Sequence, residues 1–356
     1  MIGARIKQAR IAARLSLRQL AERTNNYVSA QVIHKYELGK STPGSDVLIK
    51  LAKALGVKVE FFFRPASAKV TLSEPAFRKR SRASEKHLQS IRARAKEWVE
   101  KYLELESVFP PDRFGDFRLP KDSERAIHRL DQIEVFAGNL RKQWALGIDP
   151  IEKLSEVLED RGVKVVMVEA EGEVDGLSCW ANHHIPVVLV KKNQTSDRLR
   201  FSIAHELGHL LLNTSRTIKE EKAASRFAGA FLVPEEAAKA ELGERRQSLS
   251  FYELISLREK YGMSVQAWIY RARDLGIIST GFFVQLCRDL KKRGLYNEEI
   301  GNPLPPEEPK RFERLVMQAA GEGFISPSKG AELLDIPLNE FRKKLEVGVL
   351  DVEMRP

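Results

Sequence analysis

The residues best suited to chemistry lie in the apolar run from Phe201 to Leu212, which reads FSIAHELGHLLL. Its two histidines, His205 and His209, are four positions apart, so on a helix both imidazoles lie on one face and can reach one metal ion. Glu206 lies between them and can take a proton from a water molecule at that ion. This spacing predicts a zinc-dependent peptide hydrolase. The alternative is a pair of surface histidines on an ordinary amphipathic helix.

A zinc site of this kind needs a third protein ligand. The next predicted helix, from Thr217 to Val233, begins with Glu220 and Glu221 and continues with alanines and phenylalanines at helical spacing. Glu221 lies one turn before Ala224 and is therefore expected on the side that faces the core, so we favour it over Glu220 as the ligand. Acidic residues also favour the first turn of a helix without any metal, because they complement its dipole.

Further motifs occur in order around this pentad: Trp144-Ala-Leu-Gly147, Asp149-Pro-Ile151, Asp175-Gly-Leu-Ser178, Glu221-x-x-Ala224-x-x-Phe227-Ala228, Phe231-Leu-Val-Pro234 and Tyr261-Gly-Met-Ser-Val-Gln266. With them, the segment from residue 133 to residue 278 resembles the ImmA/IrrE metallopeptidases. The resemblance implies a gluzincin-like site in which His205, His209 and Glu221 bind Zn²⁺ and Glu206 is the general base. Ser225 departs from the family pattern, which usually has Asn or Asp there. The expected substrate is a repressor-type DNA-binding protein.

The amino-terminal part of the chain is strongly basic. Residues 1–66 hold 12 Lys and Arg against 4 Asp and Glu, and residues 67–100 hold 9 against 4. The whole chain has a net charge of only +10, so the excess is confined to this end. Such an asymmetry is typical of a polyanion-binding arm on a nearly neutral body, although a basic surface that only aids solubility would give the same charge.

A helix pattern distinguishes these two interpretations of the basic end. Short helices are predicted from Ile6 to Ala13, from Leu17 to Arg23 behind a capping box at Ser16, from Ser29 to Leu38, and from Asp46 to Leu55. In the order of these helices and in its sequence motifs, this region resembles the Cro/C1-type helix-turn-helix domain. The matching residues are Leu17-Arg-Gln-Leu-Ala21, Val28-Ser29, Ile33, Tyr36-Glu37-x-Gly39 and Leu51 to Val57. The turn at residues 24–27 is longer than usual.

In that geometry the third helix enters the major groove of double-stranded DNA, where its first residues meet base edges. Gln31 could pair with adenine and Lys35 could donate to guanine or phosphate. The other candidate contacts are Ser29, Ala30 and His34 on the same helix, and Arg14, Arg18, Lys40 and Lys50 as phosphate contacts. The alternative for each is a solvated helix face. Domains of this type usually bind palindromic operators as dimers, so a homodimer is expected.

Between and beyond these regions the sequence predicts helices without chemistry of their own. Arg78 to Glu106 is expected to be an amphipathic connecting helix that docks on the peptidase domain or on a second copy of the chain. Three strands are predicted ahead of the metal helix, and His183 and His184 are expected in a loop between two of them. The two cysteines, the absence of a membrane-length apolar run and the lack of a signal-type start favour a soluble cytoplasmic protein.

The expected fold is therefore mainly α with a small β-sheet (α+β). The predicted domains are residues 1–66 (helix-turn-helix), 67–129 (basic helical linker), 130–280 (zincin-like metallopeptidase core) and 281–356 (helical tail). The predicted function is a DNA-binding transcriptional regulator that cleaves a repressor-type protein. Two alternatives remain: a regulator that uses the zincin fold only as a sensor or dimerising body, and an antitoxin-like binding protein.

Overall fold

The computed structural model describes residues 2–63, 70–73, 84–110, 113–115, 117–169, 175–294 and 301–353. Residues 2–63 form four helices and a short 3-10 turn around one small core, to which Phe61 and Phe62 contribute buried rings. Ser16 and Gln19 form the predicted capping box, and Gly56 ends the fourth helix in the left-handed conformation. The helices are α1 (Ile2–Ala12), α2 (Leu17–Arg23), α3 (Ala30–Glu37) and α4 (Ser45–Leu55).

A long helix, α5 (Glu85–Glu106), connects this small domain to the rest of the molecule. The sequence predicted such a helix from Arg78, and residues 78–83 lie outside the described residues. α5 packs on α1 along much of its length: Arg5 forms an ion pair with Glu100, and the Ser90 hydroxyl donates to the Ala12 carbonyl at 2.6 Å. Because the apolar face of α5 is buried among the other domains, the helix docks within this chain.

The central body is built around a three-stranded sheet, whose strands are β2 (Lys164–Val168), β3 (Gly176–Ala181) and β4 (Ile185–Lys191). Their order is β2-β4-β3, with β2 parallel and β3 antiparallel to β4, so β3 lies at one edge. The apolar face toward α5 includes Val166 and Leu189, and the opposite face includes Val165 and Val188, which pack with the helices of the body.

Short elements precede the sheet: α6 (Asp122–Arg125), β1 (Ala126–Ile127), α7 (Gln132–Gln143) and α8 (Leu154–Asp160). The sequence predicts this last helix from Pro150 to Arg161, and the predicted start is wrong. The helix starts at Leu154 because the buried carboxylate of Glu307 accepts hydrogen bonds from the backbone N–H groups of Leu154 and Ser155, at 3.2 and 2.8 Å.

The helices after the sheet carry the candidate site. They are α9 (Ser196–Leu211) and α10 (Glu220–Leu232), separated by β5 (Asn213–Thr214), and then α11 (Glu235–Leu242), α12 (Phe251–Tyr261), α13 (Val265–Asp274) and α14 (Thr280–Lys292). Gly208 lets α9 and α10 approach closely, since a Cβ there would lie 2.9 Å from the Phe227 ring and 3.2 Å from the Ala224 Cα.

The carboxy-terminal part crosses the body as an extended Pro-rich segment, residues 302–310, before three helices. These are α15 (Arg311–Gly321), α16 (Pro327–Leu333) and α17 (Leu338–Glu353). α15 packs on α5, where Phe312 contacts the rings of Trp98 and Tyr102. The architecture is mainly α with small sheets, as the sequence predicted. None of the helices in the described ranges combines the length and apolar composition that crossing a lipid bilayer requires.

Candidate active site

The helix α9 brings His205 and His209 together on one face, as their spacing predicted. The two Nε2 atoms are 3.0 Å apart, and the rings are nearly perpendicular, with centroids separated by 4.7 Å. Both nitrogens therefore point at the same small volume. Two imidazole nitrogens at this distance need a proton or a cation between them, because two bare lone pairs would repel each other.

Glu221, on α10, completes this convergence. Its Oε2 is 3.2 Å from Nε2 of His205, and its Oε1 is 3.5 Å from Nε2 of His209. The pKa of this carboxyl is held well below its usual range by the hydrogen bond with His205 and then by the one with His209. The sequence predicted that Glu221 lies on the buried side of its helix, and this was wrong. Its side chain is 55% exposed, because it lies at the open mouth of the site. Glu220 lines a separate small cavity beside Gly208.

The three side chains fit a zinc ion. Four ligand atoms at about 2.0–2.1 Å from a zinc ion, in a tetrahedron, lie about 3.3 Å from one another. The two Nε2 atoms here are 3.0 Å apart, and each has a Glu221 oxygen close to that distance, Oε2 at 3.2 Å from His205 and Oε1 at 3.5 Å from His209. Two imidazoles and one carboxylate are also a donor set that zinc accepts. The exposed mouth beside Glu221 leaves room for a water molecule as the fourth ligand.

Glu206 extends from the same helix toward β3. Its Oε2 accepts a hydrogen bond of 2.7 Å from the Ser178 hydroxyl. A carboxylate oxygen of Glu206 lies within 4.8 Å of an imidazole nitrogen of each of the two histidines. Gly176 is needed here, since a Cβ at that position would lie 2.9 Å from the Glu206 Cγ. Burial raises the pKa of Glu206, because the charged form loses its hydration. The carboxyl is thereby poised to hold and release a proton next to the histidines.

Ser225 orients one of the imidazoles. Its hydroxyl donates to the Glu221 carbonyl at 2.8 Å and lies 3.3 Å from Nδ1 of His205. Because its proton is committed to the carbonyl, the Ser225 oxygen accepts from Nδ1–H. This contact favours the tautomer of His205 that has its proton on Nδ1, in which the Nε2 lone pair is free to bind a cation. The serine therefore occupies the position of the usual Asn or Asp and supplies a hydrogen bond of its own.

The loop histidines do not join this site. His183 and His184 are exposed in the turn between β3 and β4, and Nδ1 of His184 lies 2.7 Å from the Asn182 carbonyl. In the part of the chain that the structure describes, the potential metal-binding group is the one formed by His205, Glu206 and His209.

Two family models match the chain. Residues 158–273 match the peptidase family M78, described as an IrrE N-terminal-like domain, and residues 6–62 match a helix-turn-helix model. The chain carries a Cro/C1-type helix-turn-helix domain and an IrrE N-terminal-like domain. A curated relative from Rhodospirillum rubrum, described as an uncharacterized transcriptional regulator in the ATPase CF(0) region, is 40% identical over 62 residues. That match covers 17% of this chain and 56% of the relative, so the chain spans little more than half of the relative's length.

In the helix-turn-helix domain, α3 presents most of the candidate DNA contacts to solvent. Gln31, His34 and Lys35 are exposed along it, and Arg18 and Lys40 are exposed beside it. The remaining candidates have additional local roles or are less open. Ser29 is the N-cap of α3 and accepts from Val32 N at 3.4 Å, Ala30 and Arg14 are half-buried, and Lys50 Nζ lies 4.1 Å from the Tyr27 ring centroid.

Within the IrrE N-terminal-like domain, sequence reasoning did not assign roles to Gly176 and Ser178, although the motif around them was visible. It also missed Arg200, which lies on α9 five residues before His205. Arg200 is buried and donates to Glu307 at 2.7 Å, and it also donates to the carbonyls of Ile151 and Glu152. The placement of α9 therefore depends on a carboxylate 107 positions away in the chain.

Proposed function

We propose that the chain is a DNA-binding transcriptional regulator whose IrrE N-terminal-like domain is a zinc-dependent endopeptidase that cleaves a repressor-type, helix-turn-helix protein. The convergence of His205, His209 and Glu221 with Glu206 beside them is the observation that supports this proposal most. A purely structural zinc site would have no need of a buried carboxyl held next to the open ligand position.

In this proposal His205, His209 and Glu221 hold the ion. Zinc bound there would acidify a water molecule and polarise a peptide carbonyl. Glu206 would take a proton from such a water and would later deliver it to the leaving amine, so that one carboxyl serves both proton transfers. Ser178 keeps the Glu206 carboxyl in place throughout, and Ser225 keeps His205 in the tautomer that offers Nε2.

Replacing Glu206 by Gln tests the enzymatic part. The purified protein is loaded with zinc and incubated with purified repressor-type proteins from neighbouring genes, and any cut is identified by mass spectrometry. We expect cleavage by the wild type, a loss of at least about 10²-fold in E206Q, and unchanged DNA affinity in both proteins. Glu220→Gln, which removes a carboxyl from the same region, is the matched control. Equal cleavage by wild type and E206Q would contradict the proposed mechanism.

One observation favours the alternative in which the domain acts as a sensor without proteolysis. The helix-turn-helix domain is attached to α5 through Arg5–Glu100 and Ser90, and α5 packs on the sheet that adjoins α9. A change at the metal site could therefore reach the DNA-binding surface through packed elements. Operator affinity with and without zinc distinguishes the two functions. If the domain is a sensor, the affinity changes when zinc is removed, and the E206Q protein shows the same change.

A further inference from the structure

The basic excess of the amino-terminal region continues beyond the helix-turn-helix domain into α5. From residue 85 to residue 96 this helix has four Lys or Arg residues and one Glu, and from residue 97 to residue 106 it has four Glu residues and one Lys. The dipole of a helix favours the opposite order, with acidic residues at the start and basic residues at the end. The charges of α5 therefore reflect what surrounds the helix rather than its own stability.

Ion pairs with other elements explain the acidic half of α5. Glu100 pairs with Arg5 of α1, and Glu106 pairs with Lys164 of β2 at 2.5 Å. In the basic half, the guanidinium of Arg94 donates to the backbone carbonyl that follows β2, at 3.0 Å. These side chains join α5 to the rest of the chain.

Lys86, in the first turn of α5, has a different environment. It is exposed, and its Nζ donates to Oε1 of Gln19 at 3.3 Å. Among the described side chains, this contact is with a neutral amide, and Lys86 has no carboxylate partner. An amide oxygen accepts a hydrogen bond without neutralising the ammonium group, so the positive charge remains available to an anion.

The contact with Gln19 places Lys86 at the start of α2. Gln19 is the third residue of this helix, and its Oε1 also accepts from the backbone N–H of the N-cap residue at 2.9 Å. One turn further along α5, the Ser90 hydroxyl donates to the carbonyl of Ala12, the last residue of α1. The first two turns of α5 therefore lie beside the junction between α1 and α2. Arg18, next to Gln19, is exposed at the same end of α2.

The start of α2 is also the part of the domain that meets the DNA backbone. In the helix-turn-helix geometry the helix before the recognition helix crosses the backbone, and basic side chains contact phosphates there. Double-stranded DNA has about one phosphate per 1.7 Å of its axis, so a second phosphate lies close to the one expected for Arg18. The charge of Lys86 is complementary to that second phosphate.

We propose that Lys86 contacts a phosphate of the operator next to the one expected for Arg18, an inference that rests on the DNA-binding function above. The DNA-binding surface then extends from the helix-turn-helix domain onto α5. Because α5 also packs on β2 and on α15, the same contact fixes the operator relative to the IrrE N-terminal-like domain.

Lys86→Gln in the full chain tests this contact through the salt dependence of DNA binding. Glutamine keeps a donor for the Gln19 oxygen and removes the positive charge. We expect the slope of log affinity against log salt concentration to fall by about 1 in magnitude, for operator and unrelated DNA alike. The affinity lost by K86Q should therefore be about three- to fourfold larger at about 50 mM salt than at about 200 mM salt.

Lys96→Gln is the matched control. It removes the same charge from the same helix, about 15 Å further along the axis at about 1.5 Å per residue, and should leave the slope unchanged. Lys86→Arg keeps the charge and should keep the wild-type slope. Phosphate ethylation interference locates the contact: we expect one interfering phosphate that K86Q loses and K96Q retains.

The outcomes separate this inference from the DNA-binding function. Equal slopes for wild type and K86Q, or equal losses in K86Q and K96Q, would overturn the inference, while a reduced slope in Arg18→Ala would keep the function. A weaker affinity of K86Q at an unchanged slope would mean that Lys86 acts only by holding Gln19, and this too would overturn the inference. If the wild type shows no salt-dependent binding to any DNA, the DNA-binding function itself fails.

Discussion

Glu307 forms an ion pair with Arg200 of α9, with its Oε2 2.7 Å from Nη1 of Arg200. Both side chains are almost fully buried. Glu307 also caps the start of α8 through Leu154, Ser155 and the Ser155 hydroxyl. A segment of the carboxy-terminal region therefore fixes the positions of α8 and α9 at once.

The first prediction follows from this pair. Glu307→Gln leaves the Arg200 guanidinium buried without its counter-charge and weakens the cap of α8. Removing one partner of a buried pair commonly costs about 3–5 kcal/mol, so we expect a loss in the free energy of unfolding near the lower end of this range, since glutamine keeps the shape and some hydrogen bonds. Urea denaturation followed by tryptophan fluorescence measures it.

The adjacent residue provides the control for that measurement. Glu308 is exposed, and its Oε2 is 3.6 Å from Lys310 Nζ at the surface. Such pairs contribute about 0–1 kcal/mol, so Glu308→Gln should leave the free energy of unfolding nearly unchanged. Equal effects of the two substitutions would show that Glu307 does not hold the domain together as its contacts indicate.

The second prediction concerns Ser225 and the affinity of the site for zinc. Ser225→Ala removes the acceptor at Nδ1 of His205 and frees the ring to rotate or change tautomer. Loss of such an outer hydrogen bond typically weakens metal binding 10- to 100-fold, and we expect an effect of about this size. A zinc titration against a competing chelator measures the affinity.

Ser256→Ala is the control for the zinc titration. Ser256 also lies on a helix and donates to the carbonyl four residues earlier, that of Tyr252, at 3.2 Å, but it lies outside the site. Its substitution should leave zinc affinity unchanged. If Ser225→Ala binds zinc as tightly as the wild type, the hydrogen bond to His205 does not set the tautomer.

The features that the sequence predicted are local ones. The capping box at Ser16, the end of the fourth helix at Leu55 and the i, i+4 pair of His205 and His209 are each specified within a few residues, so periodicity and turn chemistry indicate them. Helix periodicity favoured Glu221 over Glu220 on the next helix, and the family resemblance implied the same ligand. These patterns were enough to identify the α+β architecture and the residues that converge on one point.

The features that escaped prediction depend on contacts between distant segments. Ser178 reaches Glu206 across 28 positions, and Glu307 reaches Arg200 across 107. No spacing rule relates such residues, because the tertiary fold alone brings them together. For the same reason the start of α8 was misplaced, since its cap comes from Glu307. The isolated bridge between Leu72 and Ala181 involves too few residues for alternation to be recognised in the sequence.

The third prediction concerns the pH dependence of stability in the metal-free protein. Burial raises the folded-state pKa of Glu206 above its unfolded value. The folded state then binds more protons than the unfolded state, so this group lowers stability as pH rises above the unfolded pKa of about 4.3. E206Q lacks this penalty. We expect E206Q to unfold at a higher urea concentration than the wild type at pH 8, with the difference shrinking as pH falls.

Metal-free protein in a chelator-containing buffer, unfolded at several pH values, provides the measurement. Glu220→Gln should follow the wild type at every pH, because no buried carboxyl is removed. A difference between wild type and E206Q that stays constant with pH would mean that the Glu206 carboxyl carries no penalty for ionising inside the fold.

The fourth prediction addresses base recognition by α3. Gln31 is exposed near the start of the helix, where an amide side chain can pair with adenine. Gln31→Ala should cost about 1–3 kcal/mol of operator affinity and relax the preference at one base position, while affinity for unrelated DNA stays the same. Selection of bound sequences from a random library, performed with both proteins, reports the preference. An identical selected motif would assign base reading to other side chains.

The fifth prediction addresses the phosphate contacts. Arg18 is exposed on α2 and is expected to neutralise one phosphate, so Arg18→Ala should weaken binding to all DNA sequences alike. It should also reduce the slope of log affinity against log salt concentration by about 1, because one fewer counterion is released. Lys292→Ala, which removes an exposed positive charge from α14, serves as the control and should leave the slope unchanged. Equal slopes for wild type and R18A would show that Arg18 does not contact a DNA phosphate. Other basic residues of the amino-terminal domain would then make the phosphate contacts.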